Sequence, residues 1–373
     1  MPILNHIENH QDLYLKLLEE CVNIDSPSRN KNNDQFSRWF ASQFEELTGG
    51  TVEIIKNEEF GNYLRCQIGS GDKQLMLSGH YDTVFPLGES AKRPFYIQDD
   101  KAFGPGVFDM KSGLIVGLLA LKALVDEGEF PTDRSVVFFI NSDEEVGSPQ
   151  SRSWFENEAN NFDAALVLEC GNTLVTSRKG SLRYKLKVEG VSAHSSVPEK
   201  GVSAIEELSR QIIRLHAMNN KESGVTVNVG AIKGGMGPNT VASDAEALID
   251  IRSNSLNDLE KIHAELESFE PFLEGAKLKF SGGINRPPME RTKEIEILYE
   301  QAKEIGNKLG MEIKEKASNG GSDGNFIASF GVPVIDGLGM RGGYAHSPKE
   351  FIYIHEAPKQ TLFVANLIKN LEI

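Results

Sequence analysis

The strongest constraint on this chain is a set of short, nearly unbroken apolar runs that each end in acidic or imidazole side chains. Gln74 to Ser78 (QLMLS) runs into Gly79-His80-Tyr81-Asp82, and Val136 to Ile140 (VVFFI) into Asn141-Ser142-Asp143-Glu144-Glu145. Ala164 to Leu168 (AALVL) ends in Glu169. Val332 to Ile335 (VPVI) is followed, past a glycine-rich loop, by Tyr344-Ala345-His346-Ser347. Apolar runs this short, without alternation, read as strands buried on both faces, the pattern of a parallel sheet covered by helices. Helical stretches lie between them. Lys111 to Val125 reads as a buried helix and Pro358 to Leu371 as a closing one. Ahead of the first strand, Leu13, Leu17 and Leu18, then Phe36, Phe40 and Phe44, recur at helical spacing. The expected fold class is α/β, with a mostly parallel sheet and helices on both faces.

From about Gly180 to Arg286 the texture changes. Leu182 to Val188, Thr226 to Ile232 and Ala245 to Ile251 alternate at period two, and Ala276 to Phe280 reads as a last strand. Ser203 to Met218 and Leu256 to Phe269 read as helices. The order β-α-β-β-α-β is ferredoxin-like. We therefore expect a catalytic domain made of residues 1–179 and 289–373, interrupted by an inserted α+β domain over residues 180–288.

The 373 residues carry a formal net charge of −15, which argues against nucleic acid or an anionic membrane surface as partner. No apolar run approaches the ~20 residues of a spanning helix, so no membrane association is expected. The first residues lack the pattern of a secretory signal. Cys21, Cys66 and Cys170 are an odd, widely spaced set. A reduced, cytoplasmic protein is the expectation.

In open α/β sheets, ligands bind outside the carboxyl ends of the strands. His80, Glu144, Glu145, Glu169 and His346 all fall there, and Asp109 stands just before the long apolar helix. Two imidazoles with several carboxylates form a ligand set suited to zinc. Three consecutive acids, Asp143 to Glu145, repel one another unless they face a cation. Two zinc ions against Asp109, Glu145, Glu169 and a hydroxide leave a neutral core, with Glu144 left over as a carboxylate beside an activated water. Taken singly, each feature has a plainer reading. An Asp-Glu-Glu run is usually a solvated face or a helix start, and Gly104-Pro105-Gly106 is a turn. His6, His10, His216 and His355 lack this context and read as structural or surface residues. What favours metal is that separate segments place metal-type ligands at equivalent strand ends.

Several motifs together resemble one family. They are Gly79-His80-Tyr81-Asp82-Thr83-Val84, Gly104-Pro105-Gly106 with Asp109-Met110-Lys111-Ser112-Gly113, Asp143-Glu144-Glu145-Val146-Gly147-Ser148, and Ala345-His346-Ser347. They are similar to the signatures of the co-catalytic dizinc metallopeptidases, the family of glutamate carboxypeptidase, aminoacylase, acetylornithine deacetylase and succinyl-diaminopimelate desuccinylase. The resemblance implies two Zn²⁺ per subunit, with Co²⁺ or Mn²⁺ as substitutes. It implies that Asp109 bridges them, that His80 and Glu169 complete one ion, and that Glu145 and His346 complete the other. Glu144 is then the general base and acid, Asp82 holds the second nitrogen of His80, and the Asp109–Met110 peptide is cis. It further implies a homodimer in which His194, within Gly190-Val191-Ser192-Ala193-His194-Ser195 at the start of the insert's first helical region, reaches the other subunit's site. Asn239 and Arg252 match positions that hold a substrate carboxylate, and Gly320-Gly321 a substrate-side loop. Ser112 stands where many members have glycine, a small change. Arg178 and Lys179, near the hinge, read as solvated linker charges, with an acidic substrate side chain as the other reading.

The function implied is a zinc-dependent hydrolase cleaving an amide next to a free carboxylate, of the glutamate carboxypeptidase type. Its substrate would be a small peptide or an N-acyl-amino acid. An N-acyl-amino-acid deacylase shares the same metal ligands and stays open. So does a non-catalytic binder of amino-acid conjugates, although a binder has no use for the base Glu144.

Overall fold

Arg134–Asn141 is buried at every position, and the sheet is built around it. The computed structural model describes residues 2–29 and 34–373. It divides into two units: Met1–Thr176 with Arg291–Ser318 and Ser322–Ile373, and Ser177–Glu290 with Asn319–Gly321.

In the first unit a six-stranded sheet has the order Thr51–Ile55, Tyr63–Gly69, Arg134–Asn141, Lys73–His80, Ala164–Val167, Val334–Ile335. The first two pairings are antiparallel and the other three parallel. Side chains of the central strand part between two layers, as the period of a strand requires. Val136, Phe138 and Ile140 join the core cluster that contains the apolar residues of helix Ser112–Asp126. Phe139 points the other way and stacks on Trp154 of helix Arg152–Glu158, with ring centroids 3.6 Å apart. Phe155 from that helix meets Phe326 of helix Gly324–Ser329. Helices thus cover both faces, and helix Ser112–Asp126 is apolar nearly all round because it lies between the sheet and the helices Asp34–Thr48 and Ala357–Asn370. Its start is pressed against a strand end. A Cβ on Gly113 would lie 2.1 Å from the Leu168 carbonyl oxygen, so only glycine lets the loop carrying Asp109 approach Glu169.

The second unit holds a four-stranded antiparallel sheet in the order Thr226–Gly234, Asp244–Ser253, Gly180–Glu189, Lys277–Arg286. Helices Ala204–Ala217 and Leu256–Glu267 complete the ferredoxin-like order. Leu182, Tyr184, Leu186 and Val188 alternate into the core beneath the helices, with Ala245, Ala247, Ile249 and Ile251 from the neighbouring strand. Ser203 caps the first helix, its Oγ accepting from the Glu206 amide at 3.2 Å. The last strand runs to Arg286, well past the apolar alternation that ends at Phe280. Its backbone pairing continues through Gly282 and Gly283, which carry no side-chain pattern to read. Among the described residues, no helix is long and apolar enough to cross a membrane.

Candidate metal centre

The strand ends and one helix start bring the expected side chains of the first unit together. His80 is the last residue of Lys73–His80. Its Nε2 lies 3.4 Å from Asp109 Oδ1 and 3.6 Å from Glu169 Oε1. On the other side, His346 Nε2 lies 3.3 Å from Asp109 Oδ2 and 3.0 Å from Glu145 Oε2. Asp109 therefore faces one imidazole with each oxygen. The Glu144 carboxylate groups with His80 and Glu169, their ligand atoms within 4.8 Å of one another. The Asp109–Met110 peptide is cis. His346 adopts a φ of 60°, a sparsely populated conformation of the kind that clusters at functional sites.

Asp82 ties two of these segments into one. Its carboxylate lies 3.2 Å from His80 Nδ1 and accepts from the amides of Glu144 and Glu145 at 3.2 and 3.1 Å. The imidazole is thereby oriented, and the acidic turn is docked beside it. Asp143 departs from the expectation that the whole acidic run faces metal. It is fully buried and turns into the protein, where it accepts from the amides of Gln150 and Ser151 at 2.8 and 3.1 Å and from the Tyr63 hydroxyl. The repulsion within the run is relieved by facing the acids in different directions.

Two holding groups escaped the reading of the sequence. Glu350, 1% exposed, accepts from the amides of Gly106, Phe108 and Asp109 at 3.2, 2.9 and 2.8 Å, fixing the loop that aims Asp109. The one signal for it was an acid directly ahead of the apolar strand Phe351–Tyr353. Lys111 is also buried. Its Nζ donates to the carbonyls of Cys21 and Ile24 at 3.0 and 2.6 Å and so caps the end of helix Gln11–Asn23. Ser112, where a glycine was the norm, is fully buried, and its Oγ lacks a hydrogen-bond partner.

The electrostatics call for positive charge. Burial pushes Glu145 up to about 7 and Glu169 well above the carboxylate range, where the charge of Asp109 adds to the effect. Pairing with Asp109 and Glu145 lifts His346 to about 10. Burial opposes a charged His80, yet its pairing with Asp109 and Asp82 outweighs that and raises it. Burial would likewise raise Asp109, but the two histidines hold it low. His80 Nε2 supplies the test of fit. It is buried and makes no hydrogen bond, although carboxylate oxygens of Asp109 and Glu169 stand 3.4 and 3.6 Å away. Nitrogen and carboxylate oxygens in that disposition satisfy a divalent ion such as zinc, so these residues fit a metal pair.

The remaining expected residues belong to the second unit. His194 sits in the short strand Ala193–His194, opposite Thr240, rather than at a helix start, because the helix begins only at Ala204. The Ser195 amide donates to the Asn239 carbonyl at 3.0 Å, so His194 and Asn239 share one ladder. Arg252 donates from Nε to Asp250 at 2.8 Å and from Nη1 to the Asn319 carbonyl at 3.0 Å. Arg178 donates to the carbonyls of Gly320 and Gly321 at 3.2 and 3.5 Å. It is 7% exposed and not a solvated linker charge. Lys179 is tied to the Gly224 carbonyl at 2.6 Å.

Residues 76–370 match Peptidase family M20/M25/M40. Carboxypeptidase G2 of Pseudomonas sp. (strain RS-16) is 30% identical, over 97% of this chain and 90% of its own length. Succinyl-diaminopimelate desuccinylase of Ehrlichia canis (strain Jake) is 27% identical, over 93% and 95%. Among solved structures, the aminopeptidase PepT from Bacillus cereus ATCC 10987 shares the fold with a TM-score of 0.79, at 22% identity over 96% of this chain and 98% of that one. The YXEP protein of Bacillus subtilis, described as a dinuclear metal binding peptidase, shares it with a TM-score of 0.71, at 13% identity over 97% and 98%. With a family match over most of its length and a relative of known name along nearly all of it, this chain belongs to Peptidase family M20/M25/M40 and is a hydrolytic enzyme.

Proposed function

We propose that the protein is a dizinc amide hydrolase that cleaves the bond next to a free carboxylate, in the manner of a glutamate carboxypeptidase. The observation that carries this reading is the sharing of Asp109, with Oδ1 3.4 Å from His80 and Oδ2 3.3 Å from His346. His80 and Glu169 would hold one ion and Glu145 and His346 the other, with Asp109 available to both. Zinc suits the donors, and cobalt or manganese can substitute. When bound, the ions supply Lewis acidity to the scissile carbonyl and a water activated at neutral pH.

The chain's own groups do the rest. Glu144 takes the proton of the attacking water and delivers it to the leaving nitrogen. Asp82 keeps His80 in one tautomer. Arg252 and Asn239 take the substrate carboxylate. Because Arg252 Nη1 bonds the Asn319 carbonyl, a carboxylate gripped by both terminal nitrogens replaces that carbonyl. His194 is suited to donate. The Ser196 amide donates to its Nδ1 at 3.2 Å, which assigns the proton to Nε2. In a homodimer formed through the inserted unit, that proton serves the developing oxyanion of the other subunit's site. The likeness to a desuccinylase supports N-acyl-amino-acid deacylation as the second reading. Membership of a hydrolase family weighs against the conjugate binder.

Turnover on dipeptides, folyl-glutamate, N-acetyl-amino acids and N-succinyl-diaminopimelate separates the two readings. We expect release of a C-terminal amino acid, with Glu144→Gln keeping its metal and losing about 10²–10⁴ in rate. Preference for the acyl substrates would favour the deacylase. Near-full activity of metal-loaded Glu144→Gln would refute the assigned base.

A further inference from the structure

We infer that Cys170 is an additional, thiolate ligand to the ion on the His80 side, so that the two ions of the pair differ in kind. The inference rests on the metal-pair reading above. The ligand atoms of Asp109, Glu169 and Cys170 lie within 4.8 Å of one another. Asp109 and Glu169 are the same carboxylates that surround the buried, unpartnered His80 Nε2. The sulfur thus shares the carboxylates of Asp109 and Glu169 with the His80 nitrogen.

The position of the thiol is set by backbone on both sides. The Leu168 amide donates to the Ser78 carbonyl at 2.9 Å. The Glu169 carbonyl accepts from Gly339 at 2.8 Å, and the Gly171 amide donates to Met340 at 3.3 Å. Cys170 is half-buried and forms no disulfide.

The consequence is chemical asymmetry. His80, Asp109, Glu169 and Cys170 make a four-donor set of the kind that closes a tetrahedral zinc site, whereas Asp109, Glu145 and His346 make a three-donor set that keeps a position open. Sulfur selects soft ions, so the His80 side favours cadmium, zinc and cobalt over manganese, and the His346 side discriminates less. Metal binding exchanges the S–H bond for a metal–sulfur bond, and the thiol proton leaves to solvent.

Cobalt titration of the metal-free protein tests this without relying on turnover. Visible d–d bands report cobalt bound, and a near-ultraviolet sulfur-to-cobalt charge-transfer band reports a thiolate ligand. We expect the charge-transfer band to grow with the first equivalent only and to be absent from Cys170→Ser and Cys170→Ala. Those variants should lose at least the roughly 10–100-fold in cadmium affinity that loss of an outer ligand partner costs, and much less in manganese affinity. The wild-type spectrum decides even if neither variant folds. Cobalt d–d bands without a charge-transfer band would overturn the role of Cys170 and leave the metal pair standing. A protein that binds no cobalt would overturn both.

Discussion

Glu350→Gln probes how the fold aims its central carboxylate. The two oxygens of Glu350 accept three amides, Oε1 from Phe108 and Asp109 at 2.9 and 2.8 Å, Oε2 from Gly106 at 3.2 Å. A glutamine can keep Oε1 on its two donors, but its NH₂ group then meets the Gly106 amide donor to donor. Leaving one buried amide unsatisfied costs about 1–3 kcal/mol. The two bonds that survive lose their charge assistance, and with it about half their strength. Against this total of about 2–3 kcal/mol stands relief of the burial cost that raises the Glu350 pKa. The larger share of the effect should therefore fall on the aim of Asp109 and the smaller on stability. Because one of the weakened bonds is to Asp109 itself, zinc affinity should fall as well, by the ~10–100-fold typical of outer-shell partners. Burial pushes Glu350 up to about 7, so the comparison belongs at about pH 8, where the wild-type carboxylate is ionised. Urea unfolding of the metal-free proteins and a competitive zinc titration measure the two effects. A variant within about 0.5 kcal/mol of wild type, the spread of neutral surface changes, with unchanged zinc affinity, would refute the reasoning.

Gly113→Ala places a Cβ 2.1 Å from the Leu168 carbonyl oxygen. It should cost at least the ~1–3 kcal/mol of an overpacked core and weaken metal binding, read by the same two assays. The metal-free protein should lose stability as pH rises. Burial raises the folded-state pKa of Glu145 and Glu350 from 4.5 to about 7, so the folded form holds protons that the unfolded form has released, and stability falls across that window. His346, raised by its acidic partners from 6.5 to about 10, stabilises fully below 6.5 and loses that contribution through 10. Thermal unfolding at several pH values should therefore show Tm falling from about pH 5 to about pH 9 without metal and a flatter profile with zinc, whose charge replaces those protons. A rising profile for the metal-free protein would contradict the assigned shifts.

The sheet and the metal-type cluster were legible because strands buried on both faces leave an unbroken apolar run, and their ends stand out as the first polar residues. The inserted unit was legible from its change to period two. What stayed hidden depends on direction and long-range closure. Asp143, Glu144 and Glu145 look alike in sequence, yet the first points into the protein and holds amides. Glu350 lies more than two hundred residues from the amides it grips. Arg178 reads as a hinge charge because nothing local shows that the carbonyls of Gly320 and Gly321 come back to meet it. The last strand was underestimated because backbone pairing across glycines leaves no side-chain signature.

The metal pair itself is tested most directly by reconstitution. Protein stripped with a chelator is titrated with zinc while bound metal and amide hydrolysis are measured on the same samples. The account predicts no turnover without metal, activity that rises with zinc, and a plateau at two ions per chain. Full turnover of protein shown by elemental analysis to be metal-free would contradict it.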